Sequence, residues 1–332
     1  MKLPVEVLVG DKRRADLQKW IEESTPYGWC ELEVASADAS FRRYFRIRTK
    51  DGPKIVMDAP PHLEPSDSFI ELASEMSDAG IPVPKVDYLD LGRGFLVISD
   101  FGNIHLQDAI ESEHRNELYD LAIRQIFKMQ KNMSQYSAKL PVFDLNWQLK
   151  ELEIFREWCL PKVPHDEFVN YAMPLVDGID SIPKCFVHRD FHCRNILVLK
   201  DGSVGLIDFQ GAMRGPITYD LVSLLRDCYV DNSAEWITRQ VRNFRTHLVQ
   251  NELLTPDADE GTIKRWFDWS GLQRHLKCLG IFHRLKLRDG KPKYLEEVPR
   301  VLQYVRQVLN NYPELCDLHA LVGEATILSP HS

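Results

Sequence analysis

The stretch CFVHRDFHCRNILVLKDGSVGLIDFQGA, residues 185–212, decides the interpretation of this chain. Asn195 stands five residues after Asp190, and Asp208 stands thirteen residues after Asn195. The residues between them, NILVL, KDGS and VGLIDF, predict two short strands joined by a tight turn. Such a hairpin would return Asp208 to the loop that carries Asp190 and Asn195.

These three residue types, in this register, suit phosphoryl transfer, which depends on positioning and on charge stabilisation. Asp190 would accept the proton of the acceptor hydroxyl. Asn195 and Asp208 would supply hard oxygen ligands to Mg²⁺ bound with ATP. We expect His188 to brace the loop and not to transfer protons. The alternative is a chance meeting of common loop residues, which the apolar strands on both sides disfavour.

The form HRDFHCRN…IDFQGAMRGPITYDL (residues 188–195 and 207–221) resembles the protein-kinase-like superfamily, and within it aminoglycoside phosphotransferases and choline kinases. That resemblance implies that Asp220 braces the catalytic loop through hydrogen bonds to its backbone. Only twelve positions separate Asp208 from Asp220. The long activation segment with which protein kinases dock peptides is therefore missing, which disfavours a protein substrate.

The rest of the chain predicts an α+β protein-kinase-like fold in two lobes. Residues 1–100 read as strand, strand, helix and strand, and form the nucleotide-binding N-lobe. Residues 101–332 are mostly helical and form the C-lobe with the catalytic loop and the acceptor site. The segments expected to be regular are helices at 11–23, 66–79, 116–130 and 147–158, strands at 40–47, 54–57 and 94–99, and the hairpin at 195–209.

Composition narrows the class of protein further. The chain has 332 residues, of which 44% are hydrophobic and 27% charged, and its formal net charge is −8. An acidic chain of this kind disfavours a nucleic-acid partner. No apolar run reaches the length of a spanning helix, and no signal peptide is recognised, so we expect no membrane partner and a cytoplasmic location. The seven scattered cysteines contain no C-x-x-C pair and are expected to be reduced thiols.

The nucleotide side departs from kinase patterns in two places. The Ser/Ala-rich ASADAS, ending at Ser40, replaces a glycine-rich phosphate loop, and no lysine stands in the strand at 54–57. Arg43, alternating with inward-facing neighbours, is the predicted source of positive charge for the phosphates. The alternative is that the arginines of this strand are all solvated. Backbone groups of Ser99 and Phe101, at the predicted hinge, would bond the adenine edge.

A closer resemblance covers nearly the whole chain. ASADASFRRYFRI (35–47), DAPP (58–61), GLQRHLKCLGIFHRLKLRDGKPKYL (271–295) and VPR (298–300) look like bacterial anomeric kinases of N-acetylmuramate and N-acetylglucosamine. The resemblance implies phosphorylation of the C1 hydroxyl of an amino sugar in cell-wall recycling, with the product passed to a nucleotidyltransferase. We expect a monomer.

The acceptor is expected between the catalytic loop and the helix predicted near 271–287. Gln273, Arg274 and His275 are the predicted sugar contacts, and Arg274 could pair with the lactyl carboxylate of N-acetylmuramate. Alternatively, these residues form the charged outer face of an amphipathic helix. Arg194 could stabilise charge on the transferring phosphoryl group or form a structural pair with a carboxylate.

Two other functions compete with the sugar kinase. A kinase of an amino alcohol or aminoglycoside should offer acidic residues or an aromatic cage to its cationic acceptor, whereas residues 262–295 are basic overall. A pseudokinase is suggested by the missing lysine and opposed by the presence of Asp190, Asn195 and Asp208.

Overall fold

The computed structural model describes residues 12–36 and 42–328. It divides into two compact units, one of residues 1–103 and 197–210, and the other of residues 104–196 and 211–332. The smaller unit holds the antiparallel sheet and the larger one is mostly helical. None of the helices in the described residues is both long enough and apolar enough to cross a membrane.

The smaller unit is built on a five-stranded antiparallel sheet with the strand order β1-β2-β3-β5-β4. The strands predicted at 40–47, 54–57 and 94–99 are confirmed as β2, β3 and β5, although Ser40 and Phe41 lie outside the described residues. Two edge strands, β1 and β4, were not predicted, because they are short and their apolar residues do not alternate cleanly. The elements are α1 (Lys12–Ser24), β1 (Glu33–Ser36), β2 (Arg43–Thr49), β3 (Gly52–Asp58), α2 (Asp67–Asp78), β4 (Val86–Asp90) and β5 (Phe95–Ser99).

Helix α1 covers one face of this sheet. Phe45, Val56 and Val97 are register partners on neighbouring strands and are almost fully buried. They pack in one apolar cluster with Trp20 of α1. The stripe predicted for α1, which includes Trp20, is therefore confirmed as its buried face. Burial of apolar side chains of this size supplies the main force that holds the helix to the sheet.

A buried carboxylate ties α1 to the strands. Asp58, at the end of β3, has no exposed surface and accepts hydrogen bonds from Arg13 of α1 (Nε to Oδ1, 3.0 Å) and Arg43 of β2 (Nε to Oδ2, 2.9 Å). A carboxylate with no exposure needs such partners, because desolvation of an unpaired charge is costly. Arg43 thus has a structural role in addition to the phosphate contact predicted from the sequence.

The other arginines of this segment differ from expectation. Arg42 was expected to point outward, but it precedes β2, where strand alternation does not apply, and it is buried against Glu64 and Pro65. Arg46, also expected outward, pairs with Asp100 at 2.5 Å. Only Arg48 of the four is solvated, with its side chain 82% exposed. The alternative of four solvated arginines is therefore wrong.

Replacing Arg43 by methionine should lower the free energy of unfolding by about 1–3 kcal/mol, because Asp58 would lose one of its two buried partners. Methionine keeps an apolar stem beside the ring of Phe45. Urea unfolding monitored by tryptophan fluorescence measures the change. Arg48→Met on the same strand is the matched control and should cost less than about 0.5 kcal/mol. An equal loss in both variants would contradict the structural role, and a raised KM for ATP in Arg43→Met alone would support the phosphate contact.

The larger unit contains the remaining helices and a two-stranded sheet, β6 with β9. The helices predicted at 116–130 and 147–158 are confirmed as α4 and α5, and the hairpin at 195–209 as β7 and β8. The elements from α3 onward are α3 (Leu106–Ala109), α4 (Arg115–Asn132), α5 (Leu145–Cys159), α6 (His165–Asp180), β6 (Lys184–Val187), β7 (Ile196–Val198), β8 (Val204–Leu206), β9 (Met213–Pro216), α7 (Tyr219–Leu225), α8 (Ala234–Gln250), α9 (Glu260–Leu287), α10 (Val298–Asn311) and α11 (Cys316–Gly323).

Helix α9 lies at the centre of the larger unit and packs against α5, α7 and α10. Its 28 residues are buried on nearly all faces between Phe267 and Leu279. A helix buried on all sides must pair its polar side chains internally, because they cannot reach water. This placement overturns the expectation of a charged outer face on this helix.

Candidate active site

The catalytic loop, residues 188–195, follows strand β6 and is held from below by the first turn of α7. The amides of His188 and Arg189 donate to the two oxygens of Asp220, at 2.7 and 3.0 Å. Burial raises the pKa of Asp220 to about 7, while these two backbone bonds act in the opposite direction. Asp220 therefore occupies the bracing position that the sequence assigns to it. His188 is fully buried with its ring edge-on to Phe191, as suits a packing role.

A second carboxylate, which the sequence analysis missed, braces the other end of the loop. Asp227 is fully buried and accepts from the amide of Cys193 at 2.7 Å and from the amide of Tyr229 at 2.9 Å. No local motif marks Asp227, because it stands just past the end of α7 and reaches the loop only in the folded chain.

Asp190 projects from this loop with its side chain 36% exposed. Burial acts to raise the pKa of its carboxyl, but nearby charges, first Lys277 and then Arg189, hold the pKa below its ordinary value. The group is therefore ionised at neutral pH, which is the state in which it can accept a proton.

Asn195 closes the loop back onto Asp190. Its Nδ2 donates to the backbone carbonyl of Asp190 at 2.9 Å, and its own amide donates to the carbonyl of His192 at 2.9 Å. The NH₂ end of the carboxamide thus faces the loop, which leaves Oδ1 at the opposite end of the same group. A metal ligand at this position requires that orientation.

Arg194, predicted either to contact the phosphoryl group or to form a structural pair, makes structural contacts. Its Nε donates to Gln107 at 2.8 Å, its Nη2 lies 3.6 Å from Glu297, and its guanidinium lies 3.5 Å from the ring centre of Tyr229. A cation held from three sides is well fixed. The structural pair that the sequence left open is present, and the phosphoryl contact stays a prediction.

Asp208 belongs to the smaller unit, whereas Asp190 and Asn195 belong to the larger one. Asp208 has a left-handed backbone (φ 63°), a conformation that aspartate and asparagine adopt more readily than most residues. The next residue, Phe209, is buried and stacks on Phe69 of α2, with ring centres 5.0 Å apart. This packing fixes the backbone that carries Asp208. Its convergence with Asp190 and Asn195 stays a prediction.

The predicted nucleotide contacts also lie in the smaller unit. Ser99 ends β5, and its amide donates to the carbonyl of Lys85 at 3.0 Å. Phe101 packs against Gly205, where an added Cβ would lie 2.5 Å from the phenyl ring. Burial acts to raise the pKa of Asp100, but hydrogen bonds from Arg46 and from the amide of Gly102 lower it. Ser40, the remaining predicted contact, lies outside the described residues.

The residues of α9 predicted to touch the acceptor are interior. Gln273 and His275 have no exposed surface, and Arg274 is 4% exposed. The side chain of Gln273 donates to Glu151 at 3.1 Å, Arg274 to the sulfur of Cys228 at 3.5 Å, and His275 bonds the carbonyl of Arg226 at 2.9 Å. Periodicity alone could not show this, because a polar stripe looks the same whether it meets water or buried partners. The three residues therefore support the acceptor site from behind.

A different group of side chains adjoins Asp190, organised by Glu151 of α5. Its carboxylate accepts from Lys277 at 2.9 Å and from the indole of Trp147 at 3.4 Å. Arg189 lies 3.9 Å from the same carboxylate. The sequence analysis singled out neither Glu151 nor Trp147, since each stands within an ordinary helical pattern. Together these residues place cations and one aromatic ring next to the predicted base.

The oxygen donors fit magnesium. Mg²⁺ is usually held by one or two carboxylates together with substrate phosphates, and not by a cage of protein ligands alone. Asn195 and Asp208 offer one carboxamide and one carboxylate, all hard oxygen donors. Consistent with this, residues 12–36 and 42–328 contain no cluster of three or more His, Cys, Asp or Glu side chains that could hold a metal on its own.

Comparisons with known proteins agree with this arrangement. Residues 31–253 match the phosphotransferase enzyme family. The chain is 38% identical to the N-acetylmuramate/N-acetylglucosamine kinase of Neisseria meningitidis serogroup B, over 94% of this chain and 96% of that protein. It is 34% identical to the protein of the same name from Pseudomonas aeruginosa, over 94% of this chain and 97% of that protein.

Solved structures show the same fold. Amicoumacin kinase hAmiN in complex with AMP-PNP, Ca²⁺ and Ami superposes with a TM-score of 0.63 at 15% identity, over 94% of this chain and 97% of that one. Choline kinase LicA from Streptococcus pneumoniae superposes with a TM-score of 0.61 at 14% identity, over 91% of this chain and 100% of that one. The predicted protein-kinase-like α+β fold is confirmed by these structures.

Proposed function

Because this chain belongs to the phosphotransferase enzyme family, we propose that it is an ATP-dependent kinase that phosphorylates the C1 hydroxyl of N-acetylmuramate and N-acetylglucosamine. The observation that carries the proposal is the identity of 38% across 94% of the chain with a kinase named for these two sugars. The product would be a sugar 1-phosphate, which a nucleotidyltransferase could convert to a UDP-sugar during peptidoglycan recycling in the cytoplasm. The enzyme would act as a monomer.

The roles of the catalytic residues follow from their chemistry. Asp190, ionised at neutral pH, would orient the C1 hydroxyl and accept its proton as the bond to phosphorus forms. Asp220 and Asp227 hold the loop that carries this carboxylate, so they act by positioning. The N-lobe, residues 1–100, would bind the nucleotide, and residues 101–332 would bind the acceptor.

Magnesium, bound with ATP, would neutralise charge on the β- and γ-phosphates. Asn195 and Asp208 are the residues that would hold it. Both depend on backbone features described above, namely the closed loop at Asn195 and the left-handed backbone at Asp208. Phosphate contacts from Ser40 and Arg43, and adenine contacts from Ser99 and Phe101, complete the proposed nucleotide site.

Charge around Asp190 argues against a cationic acceptor. Lys277 and Arg189 are the two cations that most lower the pKa of Asp190, and Arg274 acts in the same direction. A site for choline or an aminoglycoside would need the opposite sign of charge or an aromatic cage. The likeness to LicA lies at 14% identity, which concerns the fold and not the acceptor.

An ADP-release assay with ATP and Mg²⁺ tests the proposal directly. We expect turnover with N-acetylmuramate and N-acetylglucosamine, and none above background with choline, kanamycin or 1-O-methyl N-acetylglucosamine, in which the C1 hydroxyl is blocked. Phosphorus–proton coupling to H1 in the NMR spectrum of the product should place phosphate on C1. Turnover of the blocked sugar, or phosphate on another carbon, would refute the C1 assignment, and turnover of choline alone would refute the sugar kinase.

A further inference from the structure

We propose that Arg189 is the specificity residue for an acceptor carboxylate, and that its guanidinium pairs with the lactyl carboxylate of N-acetylmuramate. The inference rests on the proposed function and deepens it, because it says how one active site would distinguish the two sugars. N-acetylglucosamine has the same ring and the same C1 hydroxyl but lacks this carboxylate. A residue that contacts the carboxylate therefore affects one substrate and not the other.

Arg189 is the most exposed of the cations that surround Asp190. Its side chain is 23% exposed, whereas that of Lys277 is 10% exposed and the Arg274 residue 4%. Lys277 is hydrogen-bonded to Glu151, and Arg274 donates to a buried cysteine, so both are committed to the interior. A guanidinium at the surface of the site can meet an incoming carboxylate without that cost.

The distance from Arg189 to the reacting position suits the sugar. Its Nε lies 4.0 Å from Oδ2 of Asp190, the oxygen that the C1 hydroxyl would approach. The lactyl group is attached at C3, two ring bonds from C1, so its carboxylate lies within one sugar ring of that hydroxyl. A cation adjoining Asp190 is therefore within reach of the substrate carboxylate when C1 faces the base.

The backbone of Arg189 is strained, and the strain is maintained by the bracing carboxylate. Its φ is 76°, in the left-handed region, where glycine is accommodated without steric cost and arginine is not. Asp220 holds this conformation by accepting the Arg189 amide at 3.0 Å. Strain of this kind is found at functional sites, where the side chain supplies something that glycine could not.

Neighbouring side chains preorganise the guanidinium. Arg189 lies over the indole of Trp147, 5.9 Å from the ring centre, and Trp147 is itself hydrogen-bonded to Glu151. Glu151 also attracts Arg189 across 3.9 Å. A cation fixed between an aromatic face and a carboxylate loses little conformational freedom when a ligand binds, which increases the affinity gained from each hydrogen bond.

The test compares the two sugars in wild type, Arg189→Gly and Arg189→Lys. In Arg189→Gly, we expect the ratio of kcat/KM for N-acetylmuramate to that for N-acetylglucosamine to fall about 10- to 100-fold, as loss of a charge-assisted pair predicts, mostly through KM. Lysine should restore part of the ratio. Arg242→Gln, which alters an exposed arginine of α8 paired with Glu260, is the matched control and should leave the ratio unchanged. Thermal unfolding should show that the glycine variant is no less stable than wild type, because glycine relieves the backbone strain.

The methyl ester of N-acetylmuramate separates recognition of charge from loss of shape. Wild type should discriminate against the ester, and Arg189→Gly should treat ester and acid alike, so that the two changes are non-additive. An unchanged sugar ratio in Arg189→Gly, or discrimination against the ester that persists in that variant, would overturn the assignment of Arg189. If wild type phosphorylates only N-acetylglucosamine, the carboxylate inference fails while a sugar kinase remains. If it phosphorylates neither sugar, the proposed function itself fails.

Discussion

Asparagine in place of Asp190 is expected to lower kcat by about 10²–10⁴-fold, the range typical for removal of a positioned general base. Asparagine keeps the size of the side chain but cannot accept the proton of the acceptor hydroxyl. The backbone carbonyl of residue 190, which accepts from Asn195 and from the amide of His192, is unaffected by the substitution. The loop should therefore keep its shape, and the loss should appear in the chemical step.

Two measurements separate catalysis from folding in this variant. The KM for ATP and the melting temperature should stay close to the wild-type values, because the substitution leaves both the nucleotide contacts and the bracing carboxylates in place. Asp257→Asn, in an exposed turn before α9, is the control for a carboxylate-to-amide change and should retain full turnover. Near-normal turnover of Asp190→Asn would remove Asp190 from its role. A large loss of stability would mean that the residue is structural.

The parts of the molecule that the sequence predicts well are those with a local signature. The hairpin β7–β8 has apolar runs on both sides of a Lys-Asp-Gly-Ser turn, and its residues pair as expected. The catalytic loop is marked by the spacing of Asp190, Asn195 and Asp208. Helix α1 shows its buried stripe because one face meets the sheet and the other meets water. In each case the information lies within one element.

The parts that the sequence could not predict depend on what packs against an element. Gln273 and His275 look like the polar face of a surface helix, yet α5 and α7 cover that face and supply Glu151 and a backbone carbonyl as partners. Arg42 stands one residue before β2, so strand alternation gave the wrong direction for its side chain. Asp227 braces the loop through a contact 34 residues distant in the chain. Periodicity carries no information on such pairings, since it reports exposure only where one face is solvated.

The second large effect is expected at Asp208. Replacement by asparagine should lower kcat/KM by about 10³-fold or more at physiological magnesium, because metal-based charge stabilisation contributes several kcal/mol and each 1.4 kcal/mol corresponds to about tenfold. Asparagine is well suited as the probe, since it tolerates the left-handed backbone at φ 63° as aspartate does. It also retains an oxygen that can accept from Gln210, as Oδ1 of Asp208 does at 2.6 Å. The change is thus confined to the loss of one negative charge from the ligand set.

Activity measured as a function of Mg²⁺ concentration distinguishes a lost metal ligand from a damaged fold. The concentration of Mg²⁺ at half-maximal activity should rise in Asp208→Asn, and saturating Mg²⁺ should restore part of the rate. Asp201→Asn alters the exposed turn of the same hairpin, where the carboxylate accepts from the amide and hydroxyl of Ser203, and should leave the Mg²⁺ dependence unchanged. If Asp208→Asn and wild type respond identically to Mg²⁺, then Asp208 does not hold the metal. Because Asp208 lies in one compact unit and Asp190 in the other, parallel losses in the two asparagine variants would be the functional evidence that the two carboxylates serve one reaction.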